Sequence, residues 1–129
     1  NDIDQFISCS FEDVSISYME YLGKKGRLNG IYYPIENLII EKSELGRSIE
    51  IDGIAKDNDS LLVIECKYTN KKRTIDDFNK MIENTSIKIF SSINHIDYFI
   101  ISKNGFDDSL MNLKKDNLHL ISLKEMFQL

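Results

Sequence analysis

Two apolar segments that lie almost next to each other, 49–57 and 61–69, most constrain how this chain folds. They read IEIDGIAKD and LLVIECKYT, and turn-forming residues separate them. Both segments have the alternation and the β-branched residues of strands, so together they predict an antiparallel hairpin. Because alternate side chains share a face of a strand, Glu65 and Lys67 should lie together. If the hairpin closes around Asn58 and Asp59, Asp52 of the partner strand lies near Glu65, since directly opposed Cβ atoms are about 5 Å apart.

The charges inside these strands point to a chemical role. Ionic groups among apolar neighbours are costly to bury unless they are paired or bind a metal ion. Two carboxylates, from Asp52 and Glu65, are hard oxygen ligands that suit Mg²⁺ or Mn²⁺. Beside them, Lys67 can hold a water or hydroxide for in-line attack on phosphorus and can stabilise the charge that develops. The combination is typical of metal-dependent hydrolysis of phosphodiester bonds.

The rest of the pattern predicts an α/β domain. The expected elements are a helix over Phe11–Leu22 capped by Ser10, a strand over 31–41, a long helix over 74–93 capped by Thr74, a strand over 96–102, a short helix over 107–115, a strand over 118–123 and a helical turn over 124–129. This order is an αβββαβ core with a mixed sheet flanked by helices, followed by an appended αβ unit. Strict alternation in the second strand would put Ile49, Ile51 and Gly53 on one face and Glu50, Asp52 and Ile54 on the other.

The hairpin motif carries a family resemblance. EIDGIA followed by ECK resembles the core motif of the PD-(D/E)XK nuclease superfamily, whose restriction-endonuclease-like fold has an αβββαβ core. The resemblance implies that Asp52 and Glu65 bind Mg²⁺ or Mn²⁺ and that Lys67 completes the catalytic site. A Glu of the first helix often joins them, and Glu12 is the best match, with Glu20 second. Ile51 stands where Pro often precedes the Asp, a position that carries no chemistry.

Three longer stretches narrow the resemblance. FEDVSISYMEYL, GRSIEIDGIA and LLVIECKYT, within roughly residues 10 to 102, are similar to the C-terminal domain of unknown function attached to AAA-type ATPases of archaea and some bacteria. The resemblance implies one nuclease-like domain over 1–129, a DNA substrate and an ATPase domain preceding it in a longer chain. The first residue, Asn rather than Met, agrees with that expectation. It equally allows a catalytically inactive module with a regulatory or nucleic-acid-binding role.

Structural alternatives stay open for each site residue. Asp52, Glu65 and Lys67 can instead form a cross-strand ion-pair cluster on a solvated face, which antiparallel sheets tolerate, or a degenerate site. Glu12 can instead be a charge that favours the helix dipole near a helix start. Further candidates for ligand or phosphate contacts are Arg47, Ser48, Glu50, Tyr68 and Lys71. Structural roles are expected for His95, His119, Tyr32, Tyr33 and Cys66, the last as a buried, unreactive thiol.

The composition of the chain excludes some classes of protein and favours others. The formal net charge of −5 over 129 residues gives no general basic footprint for nucleic acid. Local basic clusters lie at residues 24–27 and 67–73, and each can be a solvated loop or a phosphate contact.

Two distant cysteines fit neither a zinc site nor a disulfide framework, which favours a reducing compartment. No signal peptide or membrane span is expected, so the sequence predicts a cytoplasmic protein, and it carries no signal for an oligomeric state.

Overall fold

A five-stranded mixed sheet lies at the centre of the molecule, with its strands in chain order across the sheet. The computed structural model describes residues 2–127, without the side chains of residues 2, 4–6 and 9. The strands are β1 (Glu36–Ile40), β2 (Ile49–Asp57), β3 (Ser60–Lys67), β4 (His95–Ser102) and β5 (Leu118–Ser122). The helices are α1 (Asp2–Lys24), α2 (Ile75–Asn84), α3 (Asp108–Met111) and α4 (Leu123–Met126), and a short 3₁₀ helix spans Lys88–Phe90. The predicted α/β class and order of elements are confirmed.

The direction of the strands changes in the middle of the sheet. β1, β2 and β3 pair antiparallel, whereas β4 pairs parallel with both β3 and β5. The β2–β3 hairpin closes as predicted, since Asp57 pairs with Ser60 and Asn58 adopts φ 54°, a conformation that Asn tolerates. A parallel pair needs a crossover connection, and α2 supplies it between β3 and β4. The carboxyl ends of β3 and β4 therefore lie side by side.

Helices cover both faces of the sheet. On one face, α1 buries Phe11, Met19 and Leu22 against a cluster that includes Leu62, Ile64, Phe99 and Ile101. On the other, α2 buries Phe78 and Met81 against a cluster that includes Ile51, Val63 and Ile100. Strands that are buried on both faces read as continuous apolar runs, which explains the composition of β3 and β4. The charges at the end of β3 are exceptions to this pattern.

The first helix is longer than predicted. A helix over 11–22 with Ser10 as its cap is wrong, because α1 already runs from Asp2 and contains Ser10 in its interior. The reason is visible in the sequence, where Ile3, Phe6 and Ile7 continue the helical spacing of apolar residues upstream of Phe11. Glu12 consequently lies in the third turn of α1. Its interpretation as a charge at a helix start is therefore wrong as well.

The second helix is shorter than predicted. Thr74 caps it as expected, but α2 ends at Asn84 instead of continuing to residue 93. The Thr85 hydroxyl donates to the carbonyl of Met81 at 3.1 Å, and the Ser86 hydroxyl donates to the carbonyl of Glu83 at 2.6 Å. These local hydrogen bonds compete with continuation of the helix. The chain then turns so that Ile87 enters the core beneath the sheet.

Other boundaries differ by a few residues. β1 starts at Glu36 rather than residue 31, β3 ends at Lys67 rather than residue 69, and α3 ends at Met111 rather than residue 115. Only part of the expected terminal turn falls within the described residues, and α4 occupies it from Leu123 to Met126. No helix between residues 2 and 127 combines the length and the apolar character needed to cross a bilayer.

Candidate active site

The alternation of β2 is interrupted at Asp52. Two residues, Asp52 and Gly53, lie opposite the single residue Asn37 of β1, because Leu38 pairs with Ile51 and Glu36 pairs with Ile54. This is a β-bulge, a feature that redirects side chains and is common next to functional sites. The predicted assignment of faces along the whole strand is therefore wrong beyond Ile51. Ile49, Ile51 and Ile54 all contact the core on the α2 side, while Ala55 contacts the core on the α1 side.

The bulge lets Asp52 reach the end of β3. The ladder between β2 and β3 runs from Asp57 and Ser60 to Gly53 and Ile64 and stops there. Beyond it, the Asp52 carboxylate replaces a backbone partner, since Oδ2 accepts a hydrogen bond of 2.8 Å from the Cys66 amide. The predicted juxtaposition of Asp52 with the Glu65 segment is thus present. A side chain rather than the backbone maintains it.

Glu65 and Lys67 share the face of β3 that points towards α2. The Lys67 Nζ atom lies 3.2 Å from Glu65 Oε1, and the side chains are 29% and 19% exposed respectively. Both residues pair with the end of β4, at Ile100 and Ser102. Because both side chains are mostly buried, their electrostatic interaction is stronger than it would be in water.

These side chains line one cavity, which we call the cleft. It has a volume of about 170 Å³ and lies between the ends of β2 and β3 and one side of α2. Its lining residues are Ser48, Glu50, Asp52, Glu65 and Lys67 from the sheet side and Asp77, Lys80, Met81 and Asn84 from α2. The structure therefore brings together Asp52, Glu65 and Lys67 at a single solvent-reachable point.

Burial disfavours the charged form of both carboxylates of the cleft. Burial, and then the Asp52 carboxylate, raise the pKa of Glu65 to about 7, although Lys67 acts in the opposite direction. Burial also raises the pKa of Asp52, against the Cys66 amide and the Lys67 ammonium, which favour its charged form. Glu65 therefore titrates near neutral pH.

Glu12 approaches Asp52 from another direction. It lines a separate recess on the α1 side, together with Asp13, Asn37 and Asp52. Burial, followed by the charge of Asp52, raises the pKa of Glu12, so the two carboxylates interact. Among the side chains that the structure describes, however, no three His, Cys, Asp or Glu residues are arranged to hold one metal ion. The role of Glu12 as a metal ligand stays a prediction.

Of four other residues that the sequence suggested for the site, two line the cleft and two do not. Ser48 and Glu50 line the cleft, as expected for residues that could touch a ligand. Glu20 is occupied elsewhere, because its Oε2 accepts a hydrogen bond of 3.2 Å from the Ile35 amide. Arg47 forms an ion pair of 2.7 Å with Glu83 of α2 and does not line the cleft.

The residues that follow β3 make structural contacts. The Tyr68 ring packs 5.3 Å from that of Phe11, and the Lys103 Nζ lies 4.4 Å from its centroid. Lys71 is exposed and outside the cleft. Arg73 forms a two-point ion pair with Asp77, with distances of 2.6 and 2.8 Å. Of the basic cluster over 67–73, only Lys67 faces the cleft.

The α2 wall was not predicted. Asp77, Lys80 and Asn84 lie at helical spacing on one side of α2, yet that pattern is common to any solvated helix face. Lys80 forms no ion pair with any residue whose side chain the structure describes, and Asn84 is only 4% exposed. The sequence did contain one signal for this wall. Asn84 is polar, yet it stands where the helical spacing of the buried Phe78 and Met81 predicts an apolar residue.

The histidines and Cys66 have structural surroundings. His95 Nε2 and His119 Nε2 lie 3.1 and 3.2 Å from the carboxylate oxygens of Asp97, which is almost fully buried. The rings thus satisfy a buried carboxylate at the far end of β4, which agrees with the predicted structural role. Cys66 is a half-buried free thiol, and burial raises its pKa, so it remains protonated and unreactive.

A divalent cation fits the donor set of the cleft. Asp52 and Glu65 are neighbouring hard oxygen ligands whose mutual repulsion a cation would relieve. The Oδ1 atom of Asn84, a third hard oxygen, is buried at the α2 wall and has no hydrogen-bond partner in the part of the chain that the structure describes. Mg²⁺ is commonly bound by one or two carboxylates and completes its shell with water and substrate oxygens. The two carboxylates are therefore sufficient as protein ligands.

Comparisons with known proteins give a family and a fold. Residues 1–81 match the model of DUF234, a family described as archaeal and bacterial proteins of unknown function. No curated protein is similar enough to the chain to count as a match. The crystal structure of the protein of unknown function AF1548 is similar over 87% of this chain and 57% of its own, with a TM-score of 0.53 and 14% identity. The chain thus spans little more than half of that protein, and the likeness concerns the fold alone.

Proposed function

Because the chain belongs to the DUF234 family, whose function is unknown, we propose from the cleft itself that it is a metal-dependent nuclease domain of the PD-(D/E)XK type. Its reaction is the hydrolysis of DNA phosphodiester bonds with Mg²⁺ or Mn²⁺. The observation that carries the proposal is the convergence of Asp52, Glu65 and Lys67 in one cleft, with Lys67 Nζ 3.2 Å from Glu65. The αβββαβ order of elements supports it.

Each residue of the cleft has a chemical role in this proposal. Asp52 and Glu65 hold the cation, which supplies charge stabilisation at the phosphoryl oxygens. The Cys66 amide orients Asp52 through a hydrogen bond to Oδ2. Lys67 directs its ammonium into the cleft, where it holds a water molecule and stabilises negative charge on the phosphate. Lys80 of the opposite wall is placed to contact a phosphate oxygen.

Cleavage assays on DNA with two substitutions test the proposal. Asp52→Ala and Lys67→Ala should each lower the Mg²⁺-dependent rate at least about a hundredfold, because each removes a charge that acts directly on the reacting phosphate. Glu41→Ala and Lys56→Ala are matched controls, since both residues are exposed and lie outside the cleft. Cleavage that survives in both cleft variants would refute the assignment.

A second candidate is a module without catalytic activity. In this alternative, the domain keeps the nuclease fold and serves as a regulatory or nucleic-acid-binding C-terminal domain of an AAA-type ATPase. The net charge of −5 favours it, as does a groove lined by the exposed apolar side chains of Val14, Tyr21 and Phe127, which suits a protein partner. Failure to bind Mn²⁺ at millimolar concentration would favour this module over the enzyme.

A further inference from the structure

Asn84 is the most unusual residue of the α2 wall. It is the last residue of α2, only 4% exposed, and its Oδ1 has no hydrogen-bond partner among the described residues. It also lines the cleft, across from the carboxylates of Asp52 and Glu65. Buried side-chain oxygens almost always accept a hydrogen bond from protein or ordered water. An unpaired, buried oxygen on a residue that lines a polar cavity therefore indicates a partner that is not part of the protein.

The position is one where an apolar side chain would ordinarily be placed. Phe78 and Met81 form the buried side of α2, and Asn84 follows Met81 by one helical step of three residues. The end of the helix does not need this side chain, because Thr85 caps it: its amide bonds the Met81 carbonyl, and its hydroxyl lies 3.1 Å from the carbonyls of both Met81 and Ile82. Asn84 is thus not needed to cap α2.

The charged groups on the sheet side of the cleft already have partners. The Asp52 carboxylate accepts a hydrogen bond from the Cys66 amide, and the Lys67 ammonium is paired with Glu65. The cleft is polar, and its volume of about 170 Å³ has room for several waters. Water is consequently the partner that the site can accommodate.

We propose that Asn84 is a positioning residue of the cation site: its Oδ1 accepts a hydrogen bond from a water held between α2 and the carboxylates of Asp52 and Glu65. This inference rests on the proposed function only as far as the cation is concerned. It extends that proposal because a residue of α2 then contributes to the affinity of the site for the metal ion. Groups that hydrogen-bond the surroundings of a metal in this way typically change metal affinity or activity by about 10- to 100-fold.

Calorimetric titration with Mn²⁺, together with thermal melting, tests the inference on the intact chain. In Asn84→Leu, the Kd for Mn²⁺ should rise at least about tenfold, while the melting temperature stays equal or rises because no internal hydrogen bond is lost. Asn84→Asp keeps an acceptor oxygen in place and should bind Mn²⁺ at least as tightly as the unaltered chain. Asn84→Ala serves if the leucine variant fails to fold, with the same expected loss of affinity. Asn112→Leu, at the end of α3 and outside the cleft, is the matched control.

Several results would overturn the inference. Unchanged Mn²⁺ affinity in Asn84→Leu or Asn84→Ala would do so, as would an equal loss of affinity in Asn84→Asp. A lower melting temperature with unaltered affinity would show a purely structural role. DNA cleavage measured in parallel separates this inference from the proposed function. If Mn²⁺ binds in an Asn84-dependent manner but DNA is not cleaved, the nuclease proposal fails alone; if the unaltered chain binds no Mn²⁺, both fail.

Discussion

At the scale of single residues, the ionised form of Glu65 lowers the stability of the folded protein. Its pKa rises from 4.5 to about 7 because burial and the Asp52 charge disfavour the ionised form. A carboxyl whose pKa is higher in the folded state stabilises the fold when protonated. That stability is fully present below pH 4.5 and is lost as the pH rises through 7. Without metal, the folded protein therefore carries an unfavourable charge at physiological pH, which a bound cation would compensate.

Glu65→Gln should remove this pH dependence. For the unaltered chain in EDTA, the Glu65 contribution to the free energy of unfolding should fall by about 2 to 3 kcal/mol between pH 5 and pH 8. Urea denaturation at the two pH values measures it as the difference between the unaltered chain and Glu65→Gln. Glu41→Gln, at an exposed position, is the control. The same pH dependence in Glu65→Gln and the unaltered chain would show that Glu65 titrates normally.

At the scale of the helices and strands, the sequence predicts those features that depend only on residues close together in the chain. The β2–β3 hairpin was predictable because its turn and both strands are adjacent in the chain, and the placement of Glu65 beside Lys67 followed from strand geometry alone. The bulge at Asp52 was not predictable, since it depends on how β1 pairs with β2. The α2 wall and the Asp97 contacts of the histidines depend on parallel crossovers, which bring together residues that are distant in sequence.

The contact between α1 and the bulge leads to a prediction about Gly53. A Cβ atom added there would lie 2.6 Å from Ile16 of α1 and 3.1 Å from both Ile35 and Ile64. Gly53→Ala should therefore force these three side chains to shift and lower the free energy of unfolding by about 1 to 3 kcal/mol, as overpacking does. Urea denaturation measures the effect.

Gly23→Ala is the control for that substitution. The added Cβ would meet only Leu28, at an ordinary 3.5 Å, near the end of α1. In a helix, Ala is favoured over Gly by up to about 1 kcal/mol, so this variant should be equally stable or more stable. If both alanine variants have the same stability as the unaltered chain, α1 does not pack tightly on the bulge.

At the scale of the whole molecule, the acidic charge leads us to expect that the proposed DNA binding depends on a cation. The net charge is −5, and the cleft contains the acidic residues Glu50, Asp52, Glu65 and Asp77 against the two lysines Lys67 and Lys80. A short DNA duplex should accordingly bind Lys67→Ala, used to prevent cleavage, at least about tenfold more tightly in Mg²⁺ than in EDTA. Fluorescence anisotropy at constant ionic strength measures both affinities. Equal affinity in the two conditions would place the DNA-binding surface elsewhere.

Calorimetric titration of the purified domain with Mn²⁺ tests the central claim, that Asp52 and Glu65 form a cation site, most directly. The account predicts clear heat of binding for the unaltered chain and for Glu41→Ala, and its disappearance in Asp52→Ala and Glu65→Ala. Binding by the unaltered chain that persists in both cleft variants would contradict the account, as would the absence of binding at millimolar Mn²⁺.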